Sequence, residues 1–150
     1  MRIRGEYGSR ERLFEIFRKV NDVKLNEDVL EKSHREQIIE DFIAFACNHL
    51  GINPNDVNVQ LSYDSREAQD MASFGKHTPS DKIIRVVASN RNLADILRTL
   101  AHELVHHKQN IENRLYVGAG DDGTDIENEA NAEAAVIMRK YGKANPIIFE

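Results

Sequence analysis

Apolar residues along the chain alternate between helical and extended spacing, and polar turns separate the segments. In SRERLFEIFRKV, Leu13, Phe14, Phe17 and Val20 share one helical face behind Ser9, which is placed to cap it. EDVLEKSHREQIIEDFIAFACNHL predicts a longer helix that turns Ile38, Ile39, Phe42, Ile43, Ala46 and Leu50 to the core, with Gly51 as its stop. DVNVQLSY then alternates Val57, Val59, Leu61 and Tyr63, the period of a half-buried strand. The polar stretch DSREAQDMASFGKHTPSD, with Gly75 and Pro79, predicts irregular backbone. KIIRVVAS is short and β-branched, hence a second strand. NRNLADILRTLAHELVHHKQNI reads as a helix capped by Asn90 or Asn92. VGAGDDGTD is a turn-rich loop, and IENEANAEAAVIMRKYG is a last helix, ended by Gly142 and followed by KANPIIFE.

Helices before, between and after a small strand pair predict an α+β fold, mostly helical, with its short sheet preceding the helix at 93–111. A length of 150 residues suits one domain with a real core, residues 1–150, and no repeat or Pro/Gly-rich linker divides it. No apolar run approaches the ~20 residues needed to span a bilayer, and the N-terminus lacks the apolar core of a secretory signal. Cys47, the single cysteine, sits in IAFACNHL and reads as a small buried hydrophobe. Together these features lead to the expectation of a reducing, cytoplasmic setting. A net charge of −5 offers no general attraction to nucleic acid. Basic residues do gather early (Arg2, Arg4, Arg10, Arg12, Arg18, Lys19), as a solvated helix face or a contact to an acidic partner.

The chemistry concentrates in TLAHELVHHKQN. On a wheel, Leu93, Ile96, Leu97, Leu100 and Leu104 form the core stripe, while Asp95, Thr99, His102, His106 and Gln109 form another. His102 and His106 stack one turn apart and can reach one ion, and Glu103 projects to its flank. This is the mechanical content of HExxH: two imidazole ligands, and a carboxylate placed to handle an activated water. The bland alternative is a helix that carries histidine on its wet face. A catalytic zinc needs a third protein ligand, and IENEANAEAA offers Glu127, Glu129 and Glu133 on a second helix. Alanines 130, 132, 134 and 135 leave room for that helix to approach closely. Thr124 and Glu127 also have the spacing of a capping box, which would give Glu127 a purely local role.

HExxH followed by a glutamate on a second helix resembles the gluzincin superfamily of zinc metallopeptidases. In some members the second motif resembles E-x-x-A-[D/N], which ENEAN fits with Glu127 as ligand, Ala130 as the small residue and Asn131 behind it. A competing register takes Glu129 as the ligand, with Ala132 and Glu133 in the following places; spacing alone leaves both open. From SFGKHTP through LRTLAHELVHHKQN to the C-terminus, about half the chain is also similar to short metallopeptidase-like proteins of tailed bacteriophages. That resemblance implies a minimal gluzincin fold in the host-cell cytoplasm and settles no substrate.

The parts fit peptide-bond hydrolysis. Zn2+ on His102, His106 and a helix-borne glutamate would acidify a water, and Glu103 would act as the general base. The expected partner is a peptide or protein substrate, with no membrane role. Asn131, or Glu133 in the other register, is the candidate to fix an imidazole tautomer. Tyr116, His107 and His77 are candidate donors to the carbonyl oxygen by residue type only. By resemblance, KIIRVVAS would be the edge strand along which a substrate pairs. GDDGTD lacks the ligand spacing of a calcium loop. NPIIFE is expected to dock on the core, with occupation of the cleft as the alternative. Cobalt, nickel or manganese suit the same ligands. Two rival functions remain at this level: a zinc-stabilised binding or assembly module without turnover, and a nucleic-acid-associated protein using the basic N-terminal face.

Overall fold

The computed structural model of the chain describes residues 2–4, 27–71 and 73–150. The helix expected over SRERLFEIFRKV, with the basic residues from Arg10 to Lys19, lies outside them. In chain order the elements are β1 (Arg2–Arg4), α1 (Glu27–Leu50), β2 (Asn58–Ser62), α2 (Glu67–Met71), β3 (Gly75–Thr78), β4 (Ile83–Val87), α3 (Leu93–Ile111) and α4 (Asp125–Ala144). Short 3-10 turns occupy Pro54–Asp56 and Pro146–Phe149. The α+β fold is as expected, and all four strands precede α3.

Helix ends follow their local chemistry. Gly51 adopts a φ of 71°, and Ile52 N–H donates to the Cys47 carbonyl at 3.0 Å, so α1 stops where the glycine permits a left-handed residue. Asn92, rather than Asn90, caps α3 by accepting from Asp95 N–H at 3.0 Å. Gly142 does not end α4, which continues to Ala144. The Phe149 ring folds back onto this glycine so closely that a Cβ would lie 2.5 Å from its Cε2. The glycine thus serves packing within the helix instead of its termination. The tail docks on the core through buried Ile148 and does not line the cleft described below.

The sheet is larger than the expected strand pair, with order β1-β2-β4-β3. β1, β2 and β4 run parallel, and β3 is antiparallel to β4. β1 places Arg2 and Arg4 in a strand, not on the helix face read for them. β3 forms inside the stretch expected to be irregular; four residues without an apolar alternation carry no strand signal of their own and gain it by pairing. β4, the KIIRVVAS strand, is interior. Among the described residues the edge strands are β1 and β3.

One face of the sheet presents Val59, Leu61, Ile84 and Val86 to Ile39, Phe42, Ile43, Leu97, Leu100, Leu104 and Ile137 of the three long helices. α4 packs along α3, and Ala130 and Ala134 are its buried contact residues, one turn apart, whereas Ala132 and Ala135 face outward. Small side chains here bring the two backbones together, which sets the distance between their polar residues.

Candidate metal centre

α3 and α4 deliver three donor atoms to one point. His102 and His106 rise one turn apart on α3, with Nε2 atoms 3.0 Å from each other. Glu127, in the first turn of α4, places Oε1 3.0 Å from His102 Nε2 and Oε2 3.0 Å from His106 Nε2. These residues form the one cluster of three possible metal-ligating side chains among the described residues. A tetrahedral ion with ligands at ~2.0–2.1 Å separates its donor atoms by about 3.3 Å. The observed spacing is within a few tenths of an ångström of that, so two imidazole nitrogens and a carboxylate fit a zinc-sized cation with little movement.

The rival ligand is occupied elsewhere. Glu129 is held by the Arg114 guanidinium, one contact at 3.1 Å and a second shorter, and this pairing keeps its carboxyl below the usual range. Glu133 lies against His49 Nε2 at 3.3 Å, joining α4 to α1, and takes no part in the cluster. The capping-box reading of Glu127 is half right. Thr124 Oγ1 accepts from Glu127 N–H at 3.1 Å, but the Glu127 carboxylate turns to the histidines. Cap and cluster use different groups of the same residue, and the GDDGTD loop ends as the turn that carries this cap.

Asn131, exposed on α4, is near enough to the His102 ring to favour its charged form. Burial nonetheless holds that imidazole below its ordinary value, outweighing the pull of Glu127. Glu103 is 8% exposed. Burial, helped by the charge of Glu127, pushes its carboxyl up to about 7. A cation beside it would oppose that rise.

The cluster floors a cleft of about 390 Å³. Ser73 to Pro79, around β3, form one wall, and the loop residues Leu115, Tyr116, Ala119 and Gly120 form the other. β3 lies very close to α3: a Cβ on Gly75 would sit 2.5 Å from Thr99 Cγ2 and 3.2 Å from Glu103 Oε1. Arg91 holds this approach together, a residue that the sequence did not single out. Its guanidinium donates to Val87 O, Asp95 O and Thr99 Oγ1 and stacks 4.2 Å from the Phe74 ring.

The three candidate donors separate. Tyr116 is 57% exposed on the cleft rim. His77 lines the cleft with its ring, but its Nε2 is buried and has no hydrogen-bond partner among the described residues. His107 is wholly buried and outside the cleft. Gln109, also wholly buried, accepts from His106 Nδ1 at 2.8 Å. Its three-residue spacing from His106 was the available signal for that contact.

No family model, curated protein or solved structure matches the chain. No helix among the described residues is long and apolar enough to cross a membrane.

Proposed function

We propose that the chain is a small zinc-dependent peptidase of the gluzincin type, working on peptide or protein substrates in the cytoplasm. The observation that carries this reading is the convergence of His102, His106 and Glu127 at the floor of an open cleft, with the buried carboxyl of Glu103 beside them. His102, His106 and Glu127 would hold the ion. When bound, it would supply Lewis acidity to a water and to a scissile carbonyl. Glu103 serves as the base: its flank position on α3 keeps it off the ligand set while leaving its carboxyl on the cleft beside the three ligands. A purely structural ion has no use for such a group, which favours turnover over a binding module.

The edge of β3 fits an extended substrate. Val87 N–H donates to Phe74 O at 2.8 Å, which fixes the alternation of the antiparallel pair. Main-chain groups of Gly75 and His77 therefore point away from β4, toward the side on which a further strand can add. Tyr116 on the opposite rim is within the same cleft to meet that strand.

Glu103→Gln tests the reading. The variant is expected to keep its zinc and lose about 10²–10⁴-fold of hydrolysis on a degenerate peptide library. Unimpaired cleavage by clean, metal-loaded variant would remove Glu103 from its role. Wild-type protein that holds zinc stoichiometrically and cleaves nothing in the library would establish the binding module instead.

A further inference from the structure

We infer that Gln109 is a positioning residue that commits His106 to the ion through Nε2. The inference rests on the metal reading above and deepens it.

The Gln109 side chain is wholly buried. Its Nε2 donates to the Ile126 carbonyl at 3.0 Å. That carbonyl accepts and cannot donate. Reversing the amide would set its oxygen against this acceptor and strand a buried NH2 group, so the Ile126 carbonyl determines the orientation. The carbonyl Oε1 must then face His106 Nδ1, 2.8 Å away. An amide oxygen only accepts, so Nδ1 carries hydrogen. The lone pair available for coordination is that of Nε2, the atom 3.0 Å from Glu127.

The brace also sets the register of the two helices. Gln109 is fastened to Ile126, the residue immediately before the ligand Glu127. One side chain therefore ties a ligand on α3 to the turn that presents the ligand on α4.

The test combines histidine-¹⁵N spectra with zinc affinity measured by chelator competition. In wild-type protein, His106 Nδ1 is expected to be protonated near neutral pH both without metal and with zinc. Gln109→Met removes the acceptor at similar volume and is expected to weaken zinc binding about 10–100-fold. Glu133→Ala, which loosens α4 from α1 at His49 instead, leaves affinity unchanged. An unprotonated Nδ1 in wild-type protein, or a folded Gln109→Met that binds zinc as tightly as wild type, overturns the brace. If wild-type protein binds no zinc, the metal reading falls separately, and the metal-free Nδ1 signal still decides the tautomer. A Gln109→Met chain that fails to fold leaves that same wild-type signal as the deciding measurement.

Discussion

Helix α3 contributes to two histidine pairs that look alike until their surroundings are compared. His102 and His106 meet edge to face, with ring centroids 4.6 Å apart. His107 meets His77 of β3 in the same manner at 5.8 Å. The first pair opens to the cleft, with Glu127 between the Nε2 atoms and Gln109 against the His106 ring. The second pair joins β3 to α3, and among the described residues His77 Nε2 and both His107 nitrogens are buried without a hydrogen-bond partner. Burial drives His77 down to about 4 and His107 below its ordinary value, so both rest as neutral rings. Two imidazoles within reach of each other are therefore not a metal site. A converging carboxylate and a buried amide against one ring distinguish the one from the other.

The largest expected effect separates the pairs directly. His106→Leu removes one of three ligands and should weaken zinc binding roughly 10³-fold, a third or so of the ~10–16 kcal/mol typical of a zinc site. Isothermal titration of the variant against wild type measures it. An unchanged affinity in His106→Leu would erase the distinction between the pairs.

Both pairs share the strand β3, whose Gly75 lies over Glu103 while His77 lies over His107. Gly75→Ala puts a methyl group 2.5 Å from Thr99 Cγ2, an overlap that the strand or the Thr99 side chain, held by Arg91, must move to relieve. A loss of about 2–3 kcal/mol in denaturant unfolding is expected. A variant as stable as wild type would mean that β3 sits further from α3 than described here.

This unevenness explains what the chain reveals before folding. The long helices were legible because their apolar stripes and caps are local: Glu27–Leu50 and Leu93–Ile111 follow the written pattern. The two histidines and Glu103 were legible because helical spacing alone puts them together. The resemblance of ENEAN to a second zinc motif favoured Glu127 and left Glu129 open. What occupies Glu129 was not legible: Arg114 arrives from the loop after α3 to claim it, a tertiary pairing that no spacing rule encodes. β3 was invisible for a similar reason, since GKHT becomes a strand only because Arg85 and its neighbours offer a ladder to it. His107 could be offered as a donor by residue type only, because a wheel reports direction and does not report what covers it.

A smaller effect comes from pH. His77 has a folded value of about 4, below its ordinary 6.5, so the folded protein binds fewer protons there than the unfolded chain. Its contribution is fully present above pH 6.5 and is lost as pH falls toward 4. Because the ring retains some exposure at the cleft, about 2 kcal/mol is the expected size. Glu103 acts in the opposite direction, since its raised value costs stability as pH climbs from its ordinary 4.5 toward 7. The His77 part is isolated by unfolding metal-free wild type and His77→Leu across pH 4–7 and taking the difference. A difference that does not vary over that interval would mean His77 is not held neutral by burial.

The smallest effect is the sharpest check on the comparison. Replacing His107 with leucine removes two buried nitrogens that have no hydrogen-bond partner among the described residues, and substitutes an apolar group of similar volume. Losing a satisfied buried group costs about 1–3 kcal/mol, whereas losing an unsatisfied one is neutral or favourable. Stability should therefore stay within about 1 kcal/mol of wild type or rise. Zinc affinity should hold, because His107 leaves α3 about 100° around from His106 and faces neither Glu127 nor the cleft. A loss of several kcal/mol would require a bound partner on those nitrogens, and the pair that joins β3 to α3 would then be a second site in its own right. Near-neutral stability together with intact zinc binding would leave the carboxylate of Glu127 as the feature that turns a pair of rings into a metal centre.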